Sequence, residues 1–348
     1  MSFNDEILPF VRMGLSRYRL DLHSLGIENH VKSYNWHGDI HLKIRIGQSA
    51  FSARFIGTKR YQQEGNDEFV ALTDGVLADQ MEYCDFLVRH SIPFMCLQRT
   101  SDGSPFARFD WCGDIYRCVL FHWISGEHIT HTTPNAAYRL GEMARKIHDL
   151  SHTYPHRLSF PTLAHTKGYR KRVLVIERVL QSNQVPQTGR KQLEQYLTNA
   201  QQHILNANIP FRNDCIVITS DLNSLNVLWD ETENISGIVD FEHIAYGERV
   251  ETLAWLIKWY SRTSGIESHD MSPLLAREVL RGYHADALLN KSDYTRLRSL
   301  LWLSGCMNWN FVDKTLKILE SNAPEQLETH LERYQRRGQA LVSLLDDF

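Results

Sequence analysis

The sequence predicts an α+β chain of two lobes, a small antiparallel β-rich one followed by a larger and mostly helical one. Three observations carry this expectation. Period-two runs separated by turns fill the first third; apolar residues at three- and four-residue spacing dominate from about residue 133; and a β-rich island at 215–241 interrupts those helices. With 348 residues the chain exceeds what one hydrophobic core usually holds, so two lobes are affordable. Apolar residues at 43% and charged residues at 23% suit a globular chain and exclude a disordered one.

The elements follow in order. "HLKIRIG" and "AFSARFIG" alternate around "QS" and predict a hairpin. Leu77, Met81, Cys84, Leu87 and Val88 mark a helix that runs up to "HSIP". "FARFDW" and "YRCVLFHWI", on either side of Gly113, predict a second antiparallel pair. Thr133 followed by Pro134 opens a helix whose stripe is Leu140, Met143, Ala144 and Ile147. Further helical segments cover 160–210, and helices return from Glu251 to the C-terminus. The lobes are therefore expected at residues 1–121 and 128–348, with a hinge at 122–127.

Charge and cysteine usage narrow the function. A formal net charge of −3 gives no general reason to bind nucleic acid or an acidic membrane. No run reaches the roughly 20 apolar residues of a membrane span. The six cysteines form no CxxC pair and read as buried free thiols in a reducing compartment, which points to the cytoplasm.

The island holds the residues suited to chemistry. Asp221 and Asn226 share one loop, and Asp240 ends the apolar run of "SGIVDFE". If "NVLW" and "GIVD" pair across the turn at "DETEN", Asn226 meets Asp240 with Asp221 nearby. An amide oxygen beside a carboxylate suits a hard divalent cation such as magnesium, and a further carboxylate can take a proton from a hydroxyl. Turn formation by Asp and Asn is the plainer reading of the same letters.

"TSDLNSLNVLWD", "GIVDFEHIAYGERVETLAWL" and the order of elements around them resemble the aminoglycoside phosphotransferase and choline or homoserine kinase-like superfamily. The resemblance implies a bilobal protein-kinase-like fold and phosphoryl transfer from ATP to a hydroxyl of a small molecule, an aminoglycoside, an amino alcohol or similar. Asp221 would be the catalytic base, and Asn226 and Asp240 would hold Mg2+ against the nucleotide phosphates. On the same grounds Arg54 would contact the α- and β-phosphates, with Ser52 beneath adenine and Glu82 as the partner of Arg54. Gly38 would belong to the cover over the phosphates. Phe121, His122 and Trp123 would form the adenine-facing segment, Phe121 and Trp123 being equally suited to plain core packing.

The segments 155–210 and 260–348 would set acceptor specificity. The basic run "KGYRKR", Lys167 to Arg172, suits either an anionic substrate or a solvated helix face. "HGDIH" at His37 to His41 mimics the catalytic letters, but Ile44 stands where a metal ligand is needed, so it reads as a β-turn. Thr219 and Ser220 replace His-Gly before Asp221, Arg54 replaces a lysine, and Thr252 replaces an aspartate. These departures leave two further readings of the same fold open, a Ser/Thr protein kinase and a nucleotide-binding scaffold without turnover.

Overall fold

The computed structural model describes residues 3–30, 39–58, 72–157, 159–160, 162, 165–181, 187–208, 216–219, 221–265, 268–321 and 324–346. A helix, α1 (Phe3–Leu15), precedes the strands β1 (Leu25–His30), β2 (Ile40–Ile46) and β3 (Ser49–Gly57). Then come α2 (Asp74–Arg89), β4 (Leu97–Gln98), β5 (Ala107–Trp111) and β6 (Asp114–His122). These strands form one antiparallel sheet in the order β1-β2-β3-β6-β4, with β5 also paired to β6. The first hairpin turns at Gly47 and Gln48 rather than at "QS". Gly47 has φ +60°, a conformation that glycine adopts without a side-chain penalty, so the turn settles one residue earlier than expected.

Strand alternation divides the small lobe's interior. Phe51, Ala53 and Phe55 join Leu42, Ile44, Cys118 and Leu120 beneath α1, where Phe10 packs 4.9 Å from Phe55. Val119 and Phe121 face the other way, into the larger core shared with α2 and the helical lobe. Ser52 and Arg54 pair with Phe121 and Val119, so they share that second face. This alternation places a polar pair on the side of the sheet that looks toward the helical lobe.

The larger lobe begins with α3 (Pro134–Ser151), whose N-cap is Thr133; its hydroxyl accepts from the Ala136 amide at 3.1 Å. Next come α4 (His165–Gln181) and α5 (Gln187–Ala207). The island follows as β7 (Ile216–Thr219), β8 (Val227–Trp229), β9 (Ile235–Ile238) and β10 (Ile244–Gly247). β7 pairs with β10 and β8 with β9, both antiparallel. The tail is α6 (Arg249–Tyr260), α7 (Pro273–Gly282), α8 (Ala285–Leu288), α9 (Lys291–Cys306), α10 (Trp309–Glu320) and α11 (Pro324–Val342). Helices α3 and α7 touch backbone to backbone: a Cβ on Gly141 would stand 2.1 Å from the Val279 carbonyl oxygen.

After β6, Glu127 exchanges two backbone hydrogen bonds with Trp229 of β8, at 3.0 and 2.9 Å. The segment leaving the sheet is thereby laid across the β8–β9 hairpin. Cys84, Cys118 and Cys306 are buried, but Cys96 and Cys112 are exposed, and Cys215 lies outside the described residues. Cys112 sits with Gly113 in the tight turn between β5 and β6, where both residues have positive φ and the side chain has no interior to enter. No helix among the described residues is long and apolar enough to cross a membrane.

Candidate active site between the lobes

The loop after β7 is built around one carboxylate. Asp221 Oδ1 accepts from Asn223 Nδ2 at 2.9 Å and from the Trp255 indole N–H at 3.3 Å. Asn226 Nδ2 donates to the Asp221 carbonyl at 2.8 Å and to its Oδ2 at 3.2 Å. The turn-forming role falls to Asn223, whose Oδ1 accepts the Leu225 amide at 2.7 Å. Asp221 is thus held by three side chains, and its carboxylate still keeps 21% of its exposure.

The β8–β9 hairpin brings the second carboxylate to the first. Val227 pairs with Ile238, and the Val239 amide donates to the Asn226 carbonyl at 2.8 Å. Asp240 follows at φ +73°, a conformation unusual for a residue with a side chain, and its Oδ1 accepts the Glu242 amide at 3.1 Å. One ligand atom each from Asp221, Asp240 and His243 lies within 4.8 Å of the others. Two amide protons of Asn226 point toward Asp221, which leaves its Oδ1 without a hydrogen bond among the described residues.

Electrostatics set this cluster apart from an ordinary turn. Desolvation pushes the Asp240 carboxyl pKa up, Glu242 adds to the rise, and Arg54 and His243 oppose it. Arg54 approaches Asp39 at 3.5 Å and Asp240 at 3.7 Å and ion-pairs with Glu242, while its guanidinium lies 5.2 Å from the Phe241 ring centre. Around this arginine stand Asp39, Asp240 and Glu242, with Asp221 beyond, so negative charge is in excess. Oxygen donors in such an excess fit a hard divalent cation. His243 is a softer donor and better suited to steering Asp221, whose Oδ2 is 4.0 Å from its Nε2.

The remaining expected residues are placed unevenly. Glu82 does not meet Arg54; it ion-pairs with Arg99 at 2.8 Å. The reason is helical phase: the residue of α2 that faces the site is Gln80, 2% exposed, whose Nε2 donates to the Glu242 and Ile244 carbonyls at 3.2 Å each. Ser52 Oγ lies 2.7 Å from His41 Nε2. Phe121 is buried with its ring centre 5.7 Å from that of Phe241. The backbone amides of His122 and Trp123 are already donated to the Cys96 and Ala50 carbonyls, both at 2.9 Å, so neither is open to a base edge. Trp123 stands 37% exposed with the Lys43 ammonium 4.6 Å over its ring. Gly38 lies outside the described residues, as does His37 of the "HGDIH" turn; Asp39 is buried against Arg54, and Ile40 and His41 already belong to β2.

Thr252 does not brace the loop, because its hydroxyl bonds back to the Glu248 carbonyl one helical turn earlier, at 3.3 Å. Glu248 itself is clamped by Arg296, with Nη1 to Oε1 at 2.6 Å and a second parallel bond. Asp39, Gln80, Glu242, His243 and Trp255 are site residues that the motifs did not single out. Gln80 carried a signal, as the one polar residue within the apolar stripe of α2.

The profile of the phosphotransferase enzyme family matches residues 73–300. The chain belongs to that family. Solved structures share its bilobal, kinase-like fold at low identity. An amicoumacin kinase in complex with AMP-PNP and Ca2+ is 10% identical with a TM-score of 0.63, covering 97% of this chain and 93% of its own. An aminoglycoside phosphotransferase from Alicyclobacillus acidocaldarius is 12% identical with a TM-score of 0.63, at 96% and 95% coverage. A microcompartment-associated aminopropanol kinase is 14% identical with a TM-score of 0.64, at 97% and 96% coverage. No curated protein sequence matches the chain.

Proposed function

We propose that this chain transfers the γ-phosphoryl group of ATP to a hydroxyl of a small molecule, with magnesium as the divalent cation. The observation that carries the reading is the meeting of Asp221, Asn226 and Asp240 on the side of the cleft that Arg54 faces. Asp221, oriented by Asn223, Asn226 and Trp255, takes the proton of the acceptor hydroxyl as its oxygen bonds to the γ-phosphorus; the bond to the bridging oxygen breaks and ADP leaves. Asp240 and the Asn226 amide oxygen would hold the magnesium ion, which when bound offsets phosphate charge. Arg54 supplies the positive charge of the small lobe on the phosphate side, and Phe121 with Phe241 forms an apolar floor beside it. Residues 122–127 would act as the hinge between 1–121 and 128–348, and the reducing, ATP-rich cytoplasm suits the free cysteines.

ADP release by the purified chain, with ATP, magnesium and pooled hydroxyl acceptors, tests this reading. Turnover that requires magnesium and falls by about a hundredfold or more in Asp221→Asn and Asp240→Asn is the expected result. ATP binding without turnover for any small-molecule or protein acceptor, unaltered in Asp221→Asn, would instead identify a nucleotide-binding scaffold.

A further inference from the structure

Helix α6 leads from the catalytic carboxylate to a group of cations. Trp255 bonds Asp221, and the Lys258 ammonium lies 4.3 Å over the Trp255 ring. Lys258 is 7% exposed, and among the described residues it has no carboxylate within ion-pairing distance. Helix α11 closes on the same region. Its Arg333, Tyr334, Arg337 and Ala340 line a cavity of about 210 Å³ with His269 and Met271. Among the described residues, Arg337 Nε is buried without a hydrogen-bond partner and neither Arg333 nor Arg337 has a carboxylate at ion-pair distance.

These groups share one electrostatic neighbourhood. Burial lowers the Lys258 pKa to about 7, Arg337, Arg262 and Arg172 lower it further, and Asp221 alone opposes them. His269 is depressed by burial and then by Arg337, Arg262 and Arg333, with only the exposed Asp270 acting the other way. Arg172 is the last residue of the basic run on α4; its guanidinium lies 5.0 Å from the Trp309 ring centre. Buried charges in proteins are ordinarily paired, because an unpaired one forfeits solvation without return. Among the described residues, α6 with Lys258 and α11 with Arg333 and Arg337 nonetheless bring one sign of charge to this region, and Arg262, whose Nε donates to the Lys258 carbonyl at 3.3 Å, joins Lys258 to the cavity wall through its bridge to Met271. An acceptor with a cationic amine would be repelled from this region.

We infer that the acceptor is a small hydroxylated anion, with its carboxylate or phosphate set between Lys258 and Arg337 and its hydroxyl directed at Asp221. The inference rests on the phosphotransferase reading for the acceptor's role. The size of the cavity suits a compact molecule, since it falls below the roughly 300–1,000 Å³ of drug-sized pockets.

Calorimetric titration of the full chain with D-gluconate and glucose 6-phosphate, against glucose and glucosamine as neutral and cationic counterparts, reads charge preference on a common skeleton. The expected result is that at least one anion binds about tenfold or more tighter than glucose, and glucosamine more weakly still. The tighter anion identifies carboxylate or phosphate as the recognised group. Arg337→Met and Lys258→Met should each remove most of this preference, with ATP binding retained as the sign of an intact fold. The inference is overturned if glucosamine binds as well as the anions, if no anion binds at millimolar concentration, or if both variants keep the preference. Magnesium-dependent turnover confined to cationic acceptors would sink it and leave the phosphotransferase reading standing. Anion binding lost in Arg337→Met, in a chain that binds no ATP, would uphold the anion site and remove that reading.

Discussion

Two regions on either side of Trp255 are unbalanced in opposite directions. Between the lobes, one arginine faces Asp39, Asp240 and Glu242, with Asp221 and His243 beside them. Beyond Trp255, Lys258, Arg333 and Arg337 collect with no carboxylate in contact among the described residues. A third group, deeper in the helical lobe, shows what balance looks like. Arg296, fully buried, is forked onto Glu248, donates to the Ala207 carbonyl at 2.9 Å and has Asp293 at 3.8 Å. The difference teaches where ligand charge is expected. The closed pair is architecture, whereas each open region has the sign that a bound partner would neutralise, cationic metal on one side and acceptor anion on the other.

Four substitutions sharpen or break this comparison. Asp221→Asn removes the proposed proton acceptor and should lower kcat by about 10²- to 10⁴-fold with KM little changed, measured by ADP release. Glu248→Gln removes the forked counter-charge of buried Arg296, leaving Asp293 at 3.8 Å, and should cost about 3 kcal/mol in urea unfolding, confirming that this pair is closed. Lys258→Met should act in the opposite direction and raise stability by an amount on the order of a few kcal/mol. The sign follows from linkage. Its folded pKa of about 7 lies below the unfolded lysine value, so the penalty is complete below pH 7 and fades as pH rises from 7 toward about 10.4. Wild-type stability should therefore climb relative to Lys258→Met across that window, and a parallel pair of curves would show that Lys258 is compensated after all. Thr133→Ala, remote from both regions, removes only the α3 cap and should cost about 1 kcal/mol in the same urea assay.

The legibility of these regions in the sequence follows the distance over which they assemble. Asp221, Asn226 and Asp240 lie within one loop and one hairpin, so local turn and strand signals bring them together. The side of the sheet to which Arg54 belongs is equally local, because alternation with Phe51, Ala53 and Phe55 dictates it. Glu82 does not reach Arg54 because its position relative to the apolar stripe, and not its lying on the helix before "SIP", decides what it meets; Gln80 has the right phase. The letters of the adenine-facing segment do not reveal that the amides of His122 and Trp123 are taken by the Cys96 and Ala50 carbonyls. The basic pocket was almost invisible. Its lining comes from α11 and from His269 and Met271, with Lys258 of α6 in the same electrostatic neighbourhood, and only the run at Lys167 to Arg172 hints at it, through Arg172.

Gln80 has a further consequence. Its amide belongs to the first part of the chain, yet it holds up two carbonyls of the segment that carries Asp240. Cutting the polypeptide after β6 would strand a buried donor in one fragment and its acceptors in the other. The β-rich half on its own would present this amide and the buried face of α2 to water, so the contact that spans the two halves forms only when both are together.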